Sequence, residues 1–445
     1  MEGLEISVVK LSEVLEDVDL RLESEYYNSE HIVFNSVQGC DIESFSQYGT
    51  SEDLNEEGKG FPILRLNEFD SFFISKPSKY CDLISKETFE LLKLKKNDVL
   101  ICRTNGNPKY VGKAAIVPKN YEYAFASYVF RLRPKTDIIN SATLVSFLNS
   151  KYGRIEIEKY SMVGNQANFS PAKFRQIAIP ILSKELNNKI EEIVYKSFEL
   201  LEESKSLYSQ AEDLLLGELG LKDWQPKNTL YTTKKFSDFA QSGRLDAEYY
   251  QQKYDEIERE LSKKNTLEIS KVGQICDKNF TPLDNVEYKY IELADIGAYG
   301  EITGCTMAIG SELPTRARRI VHKGDVLISS IEGSLQSCAI VPKEFDNALC
   351  STGFYVMTPN KINAETLLIL LKSTVIQLLL KKGCSGTILT NISKDEFLKI
   401  KIPILPEAIQ TKIASLIQQS FECKAQSKQL LEDAKRMVES EIEKN

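Results

Sequence analysis

RLDAEYY at residues 244–250 repeats RLESEYY at residues 21–27 with only two changes, 223 positions further along the chain. Three more segments recur in the same order, namely NDVLIC (97–102) as GDVLIS (324–329), AIVPK (115–119) unchanged (339–343), and IPIL (179–182) unchanged (402–405). The spacing drifts by a few residues between them, as expected when insertions fall in loops. The 445-residue chain is therefore predicted to be two copies of one unit.

The repeat predicts four parts in the order body, helix, body, helix. Their predicted bounds are 1–182, 183–222, 223–405 and 406–445. The segment GELGLKDWQP (217–226) marks the junction between the copies, because Gly217 and Gly220 can end a helix and Pro226 follows.

The two predicted long helices carry matching heptad patterns, with apolar or small residues at alternating steps of four and three. In the first helix these are Leu186, Ile190, Ile193, Ser197, Leu200, Ser204, Leu207, Ala211 and Leu214. The second helix has Ile409, Ile413, Leu416, Ser420, Cys423, Ser427, Leu430, Ala434 and Met437. The pattern predicts that the helices pair as a coiled coil. The alternative is two separate amphipathic helices, each packed on its own body.

Chain connectivity sets the direction of such a pair. The first helix leads into the second body, and the second helix leads out of it, so paired helices must be antiparallel. About 30 residues at roughly 1.5 Å per residue give a rod of about 45 Å. The predicted fold is α+β, with two globular bodies related by a pseudo-twofold axis at opposite ends of an antiparallel two-helix coiled coil.

Each body shows strand-like runs separated by turns. These are GFPILRLNEF (60–69), DVLICRTNG (98–106), AAIVPK (114–119) and YVFRLRP (128–134) in the first body, with YKYIELADI (288–296), DVLISSIEG (325–333), CAIVPK (338–343) and GFYVMTP (353–359) in the second. Each series ends in a helical stretch, near 141–160 and 364–382. The pattern predicts an α+β body with a curved sheet.

Composition is that of a globular protein, with 42% hydrophobic and 27% charged residues. We expect no membrane span and no signal peptide, because no apolar run is long enough and the first residues are acidic. The nine cysteines never form a C-x-x-C pair, which favours buried thiols in a reducing cytoplasm over a zinc site or disulfides.

The net charge of −8 is unevenly distributed. Residues 1–60 hold fifteen acidic and three basic residues, whereas residues 61–182 hold nineteen basic and ten acidic residues. Residues 223–405 are balanced, with 23 of each. A basic face that contacts phosphates is therefore permitted in the first body and unproven in the second.

The ordered duplication of these motifs resembles the specificity subunit of type I restriction–modification systems. The resemblance covers essentially the whole chain. It rests on the heptapeptides, the DVLI strand that enters a glycine turn, the IPIL segments and the two terminal helices. In that family each body is a target recognition domain that reads one half of a bipartite, asymmetric DNA sequence, and the helices fix the gap between the halves.

The resemblance also implies partners. They are double-stranded DNA, two methyltransferase subunits docked on the helices, and restriction–translocase subunits, with no membrane. S-adenosylmethionine, ATP and Mg would belong to the partner subunits, and this chain would hold no cofactor. The complex would methylate adenine and cleave DNA, while this chain would be non-catalytic.

The residues themselves offer little for catalysis. The two histidines, His31 and His322, have no metal-ligand spacing, and the sequence contains no N-P-P-[YF], glycine-rich cofactor or Walker motif. A nuclease interpretation would rely on Asp284, Glu287 and Lys289, which are too closely spaced for the usual metal-binding carboxylates.

Polar side chains on the predicted loops are candidates for DNA contact, since base edges need hydrogen-bonding groups and phosphates need cations. The first body offers Arg103, Asn105, Lys109, Tyr110 and Lys113 on one loop and Asn165, Gln166, Asn168, Ser170 and Lys173 on another. The second body offers Arg316, Arg318 and Arg319 from TRARR, then Ser329, Ser330 and Gln336, and Thr387, Thr390, Asn391 and Lys394. Asn168, Ser170, Asn391 and Ser393 are alternatively helix caps.

The repeated heptapeptide is predicted to be framework or subunit contact, because residues that read different half-sites should differ between the copies. Arg21 with Glu23 and Arg244 with Asp246 are predicted ion pairs. A second function remains open, a bivalent protein-interaction adaptor without DNA binding. Salt-sensitive retention on DNA would distinguish the two.

Overall fold

The chain folds into two compact units. Unit 1 comprises Met1–Glu202 and Lys424–Asn445, and unit 2 comprises Glu203–Cys423. The structure is a computed structural model that describes residues 8–16, 34–161, 167–226, 229–386 and 390–444. The heptapeptide at 21–27, with its predicted Arg21–Glu23 ion pair, and His31 lie outside the described residues.

Unit 1 is built from short strands and helices. Its strands are β1 (Ser36–Gln38), β2 (Glu43–Tyr48), β3 (Phe61–Leu64), β4 (Phe69–Asp70), β5 (Phe73–Ile74), β6 (Lys79–Cys81), β7 (Val99–Cys102), β8 (Thr104–Asn105), β9 (Ala114–Ile116), β10 (Ala124–Phe125), β11 (Val129–Pro134), β12 (Ala167–Asn168) and β13 (Ala178–Pro180). Its helices are α1 (Leu11–Glu16), α2 (Gly39–Ile42), α3 (Lys86–Leu92), α4 (Ser141–Leu148), α5 (Lys151–Tyr160) and α6 (Pro171–Phe174).

Two sheets form the body of unit 1. The larger is antiparallel, in the order β2-β11-β7-β9, and the smaller has the order β10-β3-β6, with β10 parallel to β3. Pairs β1–β13, β8–β12 and β4–β5 complete the set. Helix α4 is entirely buried and shares a core with β7, β9 and β11.

Unit 2 contains the second set of elements. Its strands are β14 (Thr266–Glu268), β15 (Gly273–Ile275), β16 (Glu287–Ile291), β17 (Thr306–Ile309), β18 (Ala317–Ile320), β19 (Val326–Ser329), β20 (Cys338–Ile340), β21 (Leu349–Ser351), β22 (Phe354–Pro359), β23 (Cys384–Ser385), β24 (Asn391–Ile392) and β25 (Lys401–Pro403). The long helices α7 (Lys184–Leu219) and α13 (Glu407–Ile442) are divided between the two units. The other helices of unit 2 are α8 (Phe236–Ser242), α9 (Gln252–Ser262), α10 (Ala364–Lys372), α11 (Thr374–Gly383) and α12 (Lys394–Lys399).

The sheets of unit 2 repeat those of unit 1. The antiparallel order β15-β22-β19-β20 matches β2-β11-β7-β9, and β14–β25 matches β1–β13. The second sheet, β17-β16-β21-β18, again has one parallel pair, β16 with β21. Strand β18 extends this sheet beyond its counterpart in unit 1.

The α+β prediction is confirmed, and each of the eight predicted strand segments contains a strand. Two details differ. Each predicted helical stretch is two helices, because Ser150 and Ser373 accept hydrogen bonds from the backbone N–H groups of Gly153 and Ile376 and so start a new helix. Each body also has more than one sheet. The sequence did not predict the additional strands because they are only two to six residues long and too short to show a period.

The repeated DVLI strand starts from the same turn in both units. Asn97 and Gly324 precede it with φ of 70° and 89°, a left-handed conformation that asparagine and glycine tolerate best. The next residue, Asp98 or Asp325, is buried, and its carboxylate accepts the backbone N–H of Lys95 or His322. The motif therefore specifies a tight entry into a central strand.

The two 36-residue helices pair with each other in both units. The first part of α7 packs with the last part of α13 in unit 1, and the last part of α7 packs with the first part of α13 in unit 2, so the paired segments are antiparallel. Helix α7 ends before Gly220, whose φ of 65° gives the predicted helix-ending conformation.

Alternate heptad positions are buried as predicted, and at most of the positions between them the next residue along the helix is buried, beside a predicted residue that is itself buried at Leu200. Ile190, Ser197, Ser204 and Ala211 are buried as predicted. The alternate line of the seam consists instead of Val194, Leu201, Tyr208 and Leu215. Helix α13 shows the same shift, with Ile417, Leu431 and Val438 buried. The sequence places apolar residues at both members of most of these adjacent pairs, so spacing alone does not distinguish them.

The repeated serines face each other inside the pair. In unit 1 the Ser197 and Ser427 hydroxyls are 2.8 Å apart, and Ser197 also donates to the Ser427 carbonyl at 3.0 Å. In unit 2 the Ser204 and Ser420 hydroxyls are 3.0 Å apart. Each pair satisfies two polar groups that would otherwise be buried without partners.

Removing one of these hydroxyls should leave the other buried without its partner. We expect Ser197→Ala to lower the free energy of unfolding by about 1 kcal/mol, because Ser427 stays buried without its partner. The double variant with Ser427→Ala should lose less than the sum of the two single variants. Denaturant unfolding of the four proteins measures the coupling, with Ser204 and Ser420 as the matched pair. Strict additivity would contradict the role given to the contact.

Each body docks on its own stretch of long helix through equivalent amides. The side chain of Asn140 donates to the Asn187 carbonyl at 2.8 Å, and that of Asn363 donates to the Gln410 carbonyl at 3.0 Å. The same asparagines cap α4 and α10. The repeat therefore extends to individual hydrogen bonds.

All nine cysteines are free thiols, of which five are buried, three are half-buried and Cys40 is exposed. The expectation of buried thiols is wrong for Cys40, which lies in the short helix α2 at the surface. No helix in the described ranges is long and apolar enough to cross a membrane.

Candidate nucleic-acid interface

In unit 1 the two predicted loops are joined to each other. Strand β8 pairs with β12, so that Asn105 lies opposite Ala167 and Thr104 opposite Asn168. The Phe169 N–H also donates to the Arg103 carbonyl at 2.8 Å. Segments more than 60 residues apart therefore form one surface.

Arg103 ties this surface to the main sheet. Its backbone N–H donates to the Tyr128 carbonyl at 2.8 Å, and its guanidinium donates to the Ser127 carbonyl at 3.3 Å. The guanidinium carbon lies 4.8 Å from the centre of the Tyr48 ring, within the range of a cation–π contact. Arg103 is half-buried and held in place before any ligand binds.

The tip of the loop presents the cationic and aromatic side chains. The Asn105 side chain accepts the Asn107 N–H at 2.8 Å and so shapes the turn. Lys109 and Tyr110 are exposed, and the half-buried Lys113 has its ammonium 5.6 Å from the Tyr110 ring centre. These side chains are placed to contact a ligand in solvent.

Helix α5 supports the tip from below. Arg154 donates to the Val111 carbonyl at 2.8 Å and to the Lys109 carbonyl at 3.4 Å. Gly112 has φ of 74°, and a Cβ there would lie 2.4 Å from Ile157 of α5. The loop can approach the helix this closely only with glycine at that position.

Three predicted contact residues of the second loop of unit 1 are either buried or outside the described residues. Lys173 is buried, with 7% of its surface exposed, because it belongs to α6 and packs into the unit. This burial argues against a direct phosphate contact. Asn165 and Gln166 lie outside the described residues.

In unit 2 the predicted loops are also joined. Ile331 and Asn391 form a β-bridge, the Glu332 N–H donates to the Thr390 carbonyl at 3.0 Å, and the Ile392 N–H donates to the Ser330 carbonyl at 2.9 Å. Strands β23 and β24 pair beside them. The arrangement repeats that of unit 1 with different side chains.

The arginine-rich segment of unit 2 meets the same surface. The Thr352 N–H donates to the Arg316 carbonyl at 2.9 Å, and the Ser330 N–H donates to the Gly353 carbonyl at 2.9 Å. Arg319 donates to the Phe354 carbonyl and lies 6.0 Å from the Tyr355 ring. Residues 351–354 thus connect TRARR to the loop at 330.

The three arginines differ in exposure. Arg316 and Arg318 are exposed, and the Arg318 Nε donates to the Thr315 carbonyl at 2.6 Å. Arg319 is half-buried and engaged with the sheet. Arg316 and Arg318 are therefore better placed than Arg319 to contact a ligand.

Ser329 and Ser330 lie inside the fold and not on its surface. Ser329 has no exposed surface, and its hydroxyl is 2.8 Å from that of Ser334. The Ser330 hydroxyl donates to the Gly353 carbonyl at 2.9 Å. Strand β19 continues through the first serine, so the predicted loop begins later than the polar residues indicate. We exclude both serines from the candidate interface.

The remaining candidates of unit 2 lie on the surface or outside the description. Gln336 is exposed, and its side chain donates to the Lys372 carbonyl at 3.4 Å. Asn391 and Lys394 are exposed, and Lys394 forms an ion pair with Asp277. Thr390 is half-buried, and Thr387 lies outside the described residues.

The alternative that some loop residues are helix caps is correct for the serines. Ser170 accepts the Lys173 N–H and Ser393 accepts the Glu396 N–H, at the starts of α6 and α12. Asn168 and Asn391 instead lie in the paired strands β12 and β24. They occupy equivalent positions in the repeat, which favours a framework role for both.

The heptapeptide at 244–250 acts as framework in unit 2. Arg244 forms the predicted ion pair with Asp246, at 2.8 and 2.6 Å, and donates to the Cys384 carbonyl at 2.7 Å at the end of α11. The Tyr250 hydroxyl donates to the Arg244 carbonyl at 2.8 Å. A cation and a donor at the last carbonyls of a helix stabilise that helix end.

Other chemistries find little support in the described part of the chain. Asp284 and Glu287 are exposed, and Lys289 donates to the Glu344 carbonyl at 2.7 Å. No group of three or more His, Cys, Asp and Glu residues within the described ranges is arranged to hold a metal ion. Burial raises the pKa of Cys102 to about 12, so this thiol stays protonated near neutral pH.

Sequence reasoning missed two exposed tyrosines beside the unit 1 loops. Tyr48 and Tyr128 expose 46% and 60% of their surface, next to Arg103. Tyr128 lies in a predicted strand and Tyr48 in a segment for which no strand was predicted, so the only sequence signal was their aromatic character. Exposed aromatic rings beside arginine are suited to stacking on nucleic-acid bases.

The chain is similar to known proteins in two comparisons. Residues 262–436 match the family model described as type I restriction modification DNA specificity domain. No curated protein matches the chain.

Two solved structures are similar along nearly the whole chain. The type I restriction–modification S subunit from M. genitalium is 14% identical, with 93% of this chain and 96% of that chain covered and a TM-score of 0.43. The HsdS subunit from Thermoanaerobacter tengcongensis is 13% identical, with 92% and 96% covered and a TM-score of 0.30. At these TM-scores no atomic detail transfers.

The family match covers most of unit 2, including the joined loops, the TRARR segment and the first part of α13. It agrees with the resemblance that the repeated motifs indicated. By this match, residues 262–436 are similar to the DNA specificity domain of type I restriction–modification systems.

Proposed function

We propose that the chain is a specificity subunit that reads a bipartite, asymmetric DNA target. Residues 1–182 and 223–405 each read one half-site as target recognition domains. The helices at 183–222 and 406–445 set the spacer between the halves and dock two methyltransferase subunits. The chain itself is non-catalytic and holds no cofactor.

One observation carries this proposal. In both units two distant loops are joined by backbone hydrogen bonds at equivalent positions, yet the exposed side chains on them differ. The exposed side chains include Lys109 and Tyr110 in unit 1, and Arg316, Arg318 and Gln336 in unit 2. A shared frame with different side chains is what two different half-sites require.

Restriction–translocase subunits and the cofactors S-adenosylmethionine, ATP and Mg belong, in this proposal, to the assembled complex. The loop surface supports only binding by this chain: it offers cations, amides and aromatic rings.

Mapping of modified adenines tests the proposal. DNA from cells that carry the chain with its methyltransferase subunits should show adenine methylation at a two-part motif with a constant gap, and cells without the chain should lose it. In vitro, binding to that motif should weaken steeply as salt is raised. A chain that shows no salt-dependent retention on DNA would instead fit the bivalent protein-interaction adaptor.

A further inference from the structure

A cationic cavity of about 280 Å³ lies beside the loop tip of unit 1. The lining residues that matter are Lys109, Tyr110, Lys113, Asn149, Arg154 and Lys435. The charged side chains among its lining residues are all cations. They come from the loop, from helix α5 and from helix α13, more than 270 residues further along the chain.

The walls of the cavity are fixed by the fold. Arg154 holds the loop through the Val111 and Lys109 carbonyls, and the Asn149 side chain donates to the Ala114 carbonyl at 2.8 Å. Burial lowers the pKa of Arg154 and Glu158 raises it, but a guanidinium stays charged in a protein. The cations therefore meet at a prepared site.

The residues of unit 2 that align with the cavity lining include an acidic residue as well as a basic one. The repeat aligns Arg154 with Gln377, Asn149 with Lys372 and Lys435 with Glu212. Lys372 donates to the Gln336 carbonyl at 2.6 Å. Burial raises the pKa of Glu212, and the nearby Lys372 lowers it in part. The same frame is thus cationic in unit 1 and balanced in unit 2.

We propose that the unit 1 cavity binds one backbone phosphate of the DNA half-site read by unit 1, and that Lys435 of α13 is part of that contact. The inference rests on the proposed function. An oxyanion is the ligand that converging lysines and an arginine suit. A protein partner bound in two identical copies would need the same charges in both units, and Glu212 stands where the second lysine would be.

The assignment extends the DNA contact beyond the loops. Lys435 lies in a helix whose seam residues pack inside unit 1, so its position is fixed by that packing. It also forms an ion pair with Glu432 at 2.7 Å, which competes with a phosphate for the ammonium. Removal of that competitor should strengthen the site.

The test uses the salt dependence of duplex binding by the full chain together with its methyltransferase subunits. The logarithm of the binding constant falls with the logarithm of salt concentration by about 0.9 for each phosphate neutralised. Lys435→Gln should reduce this slope by about one phosphate, and Lys435→Glu should reduce it at least as much. Glu432→Gln should keep the slope and raise the affinity.

Arg436 supplies the matched control. It is the next cation on the same helix, is exposed and does not line the cavity. Arg436→Gln should leave the slope close to that of the wild type, and thermal unfolding of each variant checks that the fold is kept. Glu432→Gln retains every cation, so its gain in affinity tests the site even where a lysine variant unfolds.

Two results separate failure of the inference from failure of the proposed function. If the wild-type complex shows salt-dependent binding and the Lys435 and Arg436 variants both keep its slope, the phosphate assignment alone is overturned. A wild-type complex without salt-dependent binding to any duplex would overturn both.

Discussion

Replacing Asp98 with asparagine is expected to lower the free energy of unfolding of unit 1 by about 3 kcal/mol, because a buried arginine then loses its countercharge. Asp98 and Arg131 are 1% and 2% exposed, with Arg131 Nη1 3.2 Å from the carboxylate. Arg133 donates to the same carboxylate at 2.5 Å. Burial lowers the pKa of Arg131 and Asp98 raises it, so the carboxylate offsets the cost of burying the charged guanidinium.

The arginine also connects three elements. Arg131 donates to the Leu91 and Lys93 carbonyls at 2.8 Å each, at the end of α3, and to the Gln47 side chain on β2. Loss of the carboxylate should therefore loosen α3 and the edge of the main sheet together. Hydrogen exchange of the backbone amides in β7, β11 and α3 measures this directly.

Unit 2 provides the control at the equivalent position. Asp325 accepts the Thr358 hydroxyl at 2.6 Å and the His322 N–H at 2.8 Å, both neutral donors. Asp325→Asn should cost about 1 kcal/mol, since only a hydrogen bond is weakened. Equal losses in the two units would show that the arginines add nothing to the repeated aspartate.

This pair of aspartates shows what the sequence alone predicts and what it does not. The repeat of NDVLIC as GDVLIS predicts a common strand and turn, and both are present with the same φ region. The partners of the aspartate differ because they lie on β11 and β22, more than 30 residues later, where the two copies have diverged. The local motif therefore specifies the turn and the strand, whereas residues distant in the sequence determine whether the aspartate has charged partners.

The long helices show a second limit. The heptad pattern predicts the pairing and the buried serines, and both are confirmed within each unit. One line of the seam is displaced because Ile193 and Val194, or Leu200 and Leu201, are equally apolar neighbours. Only packing against the opposite helix and the body selects between them.

The loops were predicted as sets, and the structure joins them through bridges that spacing does not reveal. Ser329 and Ser330 looked like loop residues because they are polar, but β19 runs through the first and the second bonds to Gly353. Tyr48 and Tyr128 were not among the predicted contact residues, but both are exposed. Residue type indicates only the average burial of a side chain, and these residues of the candidate interface differ from that average.

If each unit reads one half-site, as proposed, replacing Arg316 with alanine is expected to weaken binding of the cognate duplex by about 1–3 kcal/mol and to relax base preference in one half-site only. Arg316 is exposed at the start of β18, the strand without a counterpart in unit 1. Its carbonyl is fixed by the Thr352 N–H, so the side chain projects from a rigid edge. Selection of bound duplexes from a randomised pool gives the base preference at each position.

Arg316→Lys separates two kinds of contact. Lysine keeps the charge but cannot make the planar two-pronged contact of a guanidinium with a guanine edge. If Arg316 reads a base, lysine should leave the preference relaxed; if it contacts a phosphate, lysine should restore most of the affinity without changing the preference.

A matched variant in unit 1, Lys109→Ala, should leave the base preference in the half-site of unit 2 unchanged. Loss of preference in both half-sites from Arg316→Ala would contradict independent reading by the two units, because each loop surface is built from residues of its own unit.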